Sequence, residues 1–153
     1  MATMLVMFQM MKGGLVILIE FFMPMIPPET THQQKKVRVV FDKKKNKHVP
    51  IFYEPESLAA ARSKLTAHLS KHVPPEKVTG PVRMVTKWIF PLINGHQNGD
   101  WKYTKPDNGN MNKLLEDCME ELGFYKNDAQ ISSLIVEKFW GEVPGIYIKI
   151  EEL

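Results

Sequence analysis

The chain has a single cysteine, Cys118, among 153 residues. It can form no intramolecular disulfide and no cysteine-built zinc site, and a reducing, cytoplasmic setting is expected. It also lacks an unbroken apolar run of the roughly 20 residues that a membrane-spanning helix needs. Lys12, Gly13 and Gly14 split the methionine-rich N-terminal stretch, and Glu20 interrupts its second half. The positive charge comes after the first apolar run, the reverse of a secretory leader, so no membrane partner is expected. A large excess of one charge is missing too: 20 Lys and Arg face 17 Asp and Glu, a net charge of +3. That balance permits a nucleic-acid partner without requiring one. The five histidines share no metal-ligand spacing, apart from His68 and His72, four apart on a helical stretch. Such a pair chelates zinc in some proteins and is a surface polar pair in more.

What remains is one domain's worth of chain. Residues 1–14 are expected to be a disordered or mis-assigned N-terminal extension. The codons for Lys12, Gly13 and Gly14 can read as a purine-rich ribosome-binding site, which would put the true start near Leu15 or Val16. N-terminal sequencing of native protein tests this. The domain then runs over 15–153.

Val16 to Met23 is a run of branched and aromatic residues and predicts a buried strand, ended by Pro24, Pro27 and Pro28. Lys36 to Phe41 and Val49 to Tyr53 predict a hairpin with Lys43, Lys44, Lys45 and Lys47 at its tip. Pro55 opens a helix. Leu58, Ala61, Leu65 and Leu69 share one face of it, and Pro74-Pro75 lies beyond its end. Pro81 to Phe90 reads as a strand and Pro91 to Pro106 as a loop. A second helix starts near Asp107 to Asn110, with Met111, Leu114, Leu115, Cys118 and Leu122 as its apolar stripe and Gly123 as its terminator. Ile131 to Trp140 and Ile146 to Ile150 are the last strands. Two helices and several strands in mixed order predict an α+β fold, a mixed sheet with two main helices packed on it in two layers. Trp88, Trp101 and Trp140 are expected in the core or at a dimer interface.

The stretch from Lys105 to Ile131 carries the chemistry. Asp107 sits at a helix start, where a carboxylate suits the positive end of the dipole. Asn110, Lys113 and Asp117 fall within roughly 60° of one another around the helix, on a polar edge beside the apolar stripe. Asp128 opens the next strand and can fold back toward that edge. Asp107, Asp117 and Asp128 together are hard oxygen ligands of the kind magnesium takes. Lys113 beside them suits a phosphate oxygen. The same residues also read as a helix cap, a surface ion pair and a turn.

The order Lys105, Pro106, Asp107, then Asn110, Lys113 and Asp117, then Gly123-Phe124-Tyr125 and Asp128-Ala129 before Ile131, resembles the signature of RusA-type Holliday-junction resolvases. The upstream Thr30-Thr31-His32-Gln33 with Lys35-Lys36-Val37, and the closing Val136 to Trp140 and Pro144 to Ile148, look like Firmicute and phage members. The resemblance runs from about Phe21 to Ile150. It implies a homodimeric, Mg2+- or Mn2+-dependent endonuclease that resolves four-way DNA junctions by paired symmetric nicks in recombination and repair, leaving 5′-phosphate and 3′-hydroxyl ends.

By the same resemblance, Asp107 and Asp128 are catalytic metal ligands, Asp117 a further ligand, Lys113 the catalytic cation and Asn110 a supporting residue. Lys35, Lys36, Arg38, Lys43, Lys44, Lys45 and Lys105 are the expected DNA contacts, through phosphates. Two positions depart from the pattern. Gly109 stands where the family has a second motif Asp, and Asn127 where it has the first Asp of an Asp-Asp pair. Losing a ligand carboxylate weakens metal binding unless Asn108 or Asp117 substitutes in part, so a junction-binding copy with impaired cleavage is the alternative. A small interaction domain that ignores DNA is the third reading.

Overall fold

The computed structural model describes residues 5–11, 14–31 and 36–153, with the backbone alone for 5–11 and Leu15. Lys35 and the motif residues His32 and Gln33 lie outside the described residues. Among the described residues seven strands and two α-helices follow in the order β1 (Leu5–Met11), β2 (Gly14–Pro24), β3 (Lys36–Asp42), β4 (Lys47–Tyr53), α1 (Glu56–Leu69), β5 (Val82–Pro91), α2 (Asn108–Leu122), β6 (Ile131–Gly141) and β7 (Gly145–Glu152). The fold is α+β. Five strands form one sheet in the order β1-β2-β7-β5-β6, and β3 and β4 form a separate hairpin.

Alternation decides which face of the sheet is buried. Ile19, Phe21 and Met23 of β2, Met84, Thr86 and Trp88 of β5, and Ile146, Ile148 and Ile150 of β7 are all buried. They form one core with Leu58, Ala61, Leu65 and Leu69 of α1 and Met111, Leu114, Leu115, Cys118 and Met119 of α2. Each fully buried aliphatic side chain contributes about 1.5–3 kcal/mol of transfer free energy. Gly123 ends α2 at φ 92°, a left-handed conformation that glycine adopts without steric cost, and its N–H returns to the Met119 and Glu120 carbonyls.

β5 and β6 are parallel, with Val85 opposite Ile135 and Phe90 opposite Trp140. A parallel pair needs a crossover, and here it carries α2. The loop from Leu92 and the N-terminus of α2 therefore meet at the C-terminal ends of two parallel strands, where open sheets leave room for a site.

Several expectations change. Leu5–Met11, placed by the sequence in a disordered extension, instead pairs with β2 from Leu5 opposite Glu20 to Met11 opposite Gly14. The run is apolar and extended, and pairing satisfies backbone groups along the free edge of β2. Trp88 and Trp140 belong to the core, and Trp101 lies outside it, 62% exposed, with Lys102 pointing inward in its place, which leaves the dimer interface as its expected position. His72 is buried and stacks on Phe21 at 4.3 Å, so it is a core ring and neither a zinc ligand nor a surface residue. Among the described residues no helix is long and apolar enough to cross a membrane.

Candidate active site

The site is built on the exposed edge of α2. Asp107 has extended backbone angles (φ −66°, ψ 137°) and caps the helix by accepting the Asn110 N–H at 3.1 Å. The cap expected from sequence is present, and Asp107 remains exposed. Its neighbour Asn108 donates from Nδ2 to the Val136 carbonyl at 3.1 Å. That carbonyl only accepts, so it fixes which way the amide points. Asn108 Oδ1 is then left buried with no hydrogen-bond partner among the described residues. Gly109 follows, exposed; a Cβ built on it would meet only Asp107 Oδ1, at 3.4 Å.

About one turn beyond Gly109, Lys113 pairs with Asp117 at 3.0 Å and more closely with Asp128. The hydrogen bond to Asp128 is the main cause that raises the Lys113 pKa above the ordinary lysine range, so the ammonium stays charged at any working pH. Asp128 does not open a strand as expected. It begins a short 3-10 turn, Asp128–Gln130, whose cap is Asn127, accepting the Ala129 N–H at 2.8 Å. Asn and Asp cap equally well, so the Asn127 departure leaves this turn intact. The Asp128 N–H is held by Glu120 at 3.0 Å.

Beneath α2 runs a buried polar network. Thr86 Oγ1 donates to Asn112 Oδ1 at 2.7 Å, Asn112 Nδ2 donates to Glu116 at 2.7 Å, and Tyr125 OH donates to the Glu116 carbonyl at 2.8 Å. Burial raises the Glu116 carboxyl pKa, and burial together with nearby carboxylates raises that of the Tyr125 phenol. A fully partnered network of this kind fixes the rotation of α2 on β5, and with it the direction of the polar edge.

Lys113, Asp117 and Asp128 are thus brought together, but Asp107 is not. Ten residues of helix separate Asp107 from Asp117, a rise of about 15 Å, too far for one ion. Among the described residues no group of three or more His, Cys, Asp and Glu is placed to hold a metal. The three-carboxylate cluster expected from sequence is therefore not formed within the chain. Lys36, Arg38, Lys43, Lys44 and Lys45 are exposed on the hairpin, where Asp42 Oδ1 accepts the Lys44 and Lys45 N–H groups at 2.9 and 3.2 Å.

Beside Asp107 lies an open cleft of about 590 Å3, lined by Lys102, Tyr103, Thr104, Lys105, Pro106, Asp107, Asn108 and Lys138. Lys105, expected to contact DNA, is on its rim. Sequence pattern alone does not single out Lys102 and Lys138. The usable signal is alternation in β6, which puts Lys138 on the same side as Val136 and the buried Trp140.

Comparison with known proteins adds the family. A model described as endodeoxyribonuclease RusA matches residues 26–151. The chain belongs to the RusA family. It is similar to the crossover junction endodeoxyribonuclease rusA of Lactococcus phage r1t, with 29% identity over 136 residues, covering 88% of this chain and 96% of that one. It is also similar to the uncharacterized protein YqaN of Bacillus subtilis (strain 168), with 34% identity over 95 residues, covering 55% of this chain and 66% of that one. The RusA match takes in Asp107, Gly109, Lys113 and Asp128, and it begins after β2.

Proposed function

We propose that this RusA-family chain is a structure-selective DNA endonuclease that resolves four-way junctions by paired symmetric nicks, acting as a homodimer. The observation that carries the reading is the family match over 26–151, which spans the whole polar edge of α2 and the cleft at its N-terminus. A two-fold dimer suits a two-fold junction, each protomer addressing one strand.

A hard divalent cation would be held at the start of α2, by the exposed carboxylate of Asp107. Asp107 offers a carboxylate, and Asn108 Oδ1 is a buried oxygen without a donor. Magnesium commonly binds through one or two protein carboxylates, with water and substrate phosphate oxygens completing its shell. Bound there, Mg2+ or Mn2+ would polarise the phosphodiester and lower the pKa of a coordinated water. The chain does the rest. Asn110 ties the Asp107 carboxylate to the helix. Lys113 leaves Asp128 and swings toward the helix N-terminus, the direction in which helical side chains lean, to offset charge on the pentacoordinate phosphorus. Asp128 and Asp117 store that lysine until DNA arrives. Lys35, Lys36, Arg38, Lys43, Lys44, Lys45 and Lys105 contact backbone phosphates, and such contacts read shape, not sequence.

A second reading has its own observation. At Gly109 the family's second carboxylate is absent and nothing else fills the space beside Asp107. On that reading the chain binds junctions and cuts them poorly. One gel experiment separates the readings: a synthetic four-way junction, labelled on each strand in turn, incubated with Mn2+ or with chelator, against linear duplex. Nicks at symmetric positions with Mn2+ support the nuclease. Selective binding without nicks supports the impaired copy. Equal affinity for branched and linear DNA rejects both.

A further inference from the structure

The cleft beside Asp107 contains two cations that the proposed chemistry does not use. Lys102 is only 6% exposed, and its ammonium lies 4.0 Å from the centre of the Trp140 ring and 5.1 Å from that of Phe90. An ammonium has three donors. Among the described residues Lys102 meets one hydrogen-bond acceptor, Thr104 Oγ1 at 2.6 Å. Lys138 stands next to it, because the Lys102 N–H bonds the Lys138 carbonyl. The Lys138 ammonium donates to the Thr104 and Pro106 carbonyls at 2.6 and 2.5 Å. Neither lysine forms an ion pair among the described residues.

Lys102 is buried and Lys138 half-buried beside it, and holding two like charges this close without an ion pair is costly. Both amines register it. Burial lowers the Lys102 pKa and the Lys138 charge lowers it further, while burial also lowers that of Lys138. The carboxylates that oppose these shifts are Glu29, acting on Lys102, and Asp107, acting on Lys138. Such a pair persists where a ligand completes it. The ligand must be anionic, must accept hydrogen bonds from several directions and must fit an open cleft, which describes a phosphate group.

We propose that Lys102 and Lys138 form a phosphate seat, one that holds a phosphodiester of the bound strand neighbouring the one attacked at Asp107. This rests on the nuclease reading for its source of phosphate, but the seat itself rests on the lysine pair. With the seat filled, the strand is gripped on the cleft side of Asp107 and cannot slide along α2. Trp140 forms the back of the seat, its other contact a stack on His96 at 5.1 Å.

The test uses the full chain in chelator, so that binding is read without cutting. Affinity for a synthetic four-way junction is measured across a salt series for the wild type, Lys102→Met and Lys138→Gln. Each substitution is expected to weaken binding about 5- to 10-fold and to reduce the salt slope by about one. Wild-type slopes in both folded variants overturn the seat. Lys138 also ties down the 104–106 loop, so thermal melts accompany the series. Should either variant unfold, inorganic phosphate is titrated into the wild type and the lysine side-chain signals followed by NMR. Saturable movement of the Lys102 and Lys138 signals with phosphate but not chloride supports the seat; unmoved signals overturn it. A chain that seats inorganic phosphate on these lysines but binds no DNA rejects the nuclease reading and reassigns the seat to a free phosphate ester. A chain that nicks junctions with unchanged slopes in both variants rejects the seat alone.

Discussion

Gly109→Asp is the perturbation on which the nuclease reading bears most directly. A Cβ at this position meets Asp107 Oδ1 at 3.4 Å and nothing else, so the side chain enters without a steric penalty and its carboxylate stands beside that of Asp107. Replacing a helical glycine gains a few tenths of a kcal/mol, and a carboxylate in the first turn gains about 0.3–1 kcal/mol from the helix dipole. Against this stands repulsion between two exposed carboxylates about 4–5 Å apart, about 1–2 kcal/mol at a near-aqueous effective dielectric. Without metal the terms nearly cancel, and the melting temperature of the variant should match that of wild type. With Mn2+ the second carboxylate would serve beside that of Asp107 as a metal ligand. Millimolar Mn2+ should then raise the variant's melting temperature more than that of wild type, because a ligand that binds only the folded state stabilises it by mass action. Junction nicking should rise about 100-fold in the variant, the order of effect expected for one added charge contact to the reacting group. A variant that folds normally but gains neither metal-dependent stability nor nicking refutes the placement of the ion at the α2 N-terminus.

Other consequences are independent of this one. Lys113→Met should lower nicking about 100- to 1,000-fold while changing stability by no more than about 1 kcal/mol, since the ion pair it breaks is half-exposed; loss of folding on denaturant titration would contradict the assignment. In the free protein, where Asp128 holds it, the Lys113 ammonium should persist as pH rises through the ordinary lysine range; an NMR titration in which Lys113 deprotonates together with the exposed lysines would contradict this. The His72 pKa is lowered, chiefly by burial. The unfolded chain therefore binds this proton first as pH falls, and stability present above about pH 6.5 should be lost as pH drops toward the folded pKa, by at most about 1.4 kcal/mol per pH unit. His72→Phe should flatten that part of a urea-midpoint against pH curve, and an unchanged curve would reject His72 as its source. Asn112→Ala strips partners from Thr86, Trp88 and Glu116 at once and should cost about 3 kcal/mol, a melting-temperature drop of about 6–12 °C.

Much of the fold was legible because it rests on local periodicity. Leu58, Ala61, Leu65 and Leu69 mark the buried face of α1 directly, Asp107 and Gly123 bracket α2, and alternation marks β7. Strand order was not legible. β7 lies between β2 and β5, and that insertion depends on tertiary packing that no short window contains. The same limit explains the site. Lys113 and Asp117 share a helix edge and were found together. Asp107 shares their spacing rule only loosely, and its axial distance from Asp117 follows from helix rise once the helix boundaries are known. Lys102 escaped notice because a lysine between Trp101 and Tyr103 reads as surface, and only the pairing of its segment with β6 turns it inward. Asn108 was legible only as a stand-in for the missing carboxylate; its amide oxygen left without a partner is a property of the fold.

The central claim is that hydrolysis is assembled at the N-terminus of α2. A crystal of the full chain soaked in Mn2+ and measured at the manganese absorption edge tests it. The account predicts an anomalous peak about 2.0–2.2 Å from an Asp107 carboxylate oxygen and from Asn108 Oδ1. A peak between Asp117 and Asp128 with Lys113 displaced, or no peak on α2 at all, would contradict it.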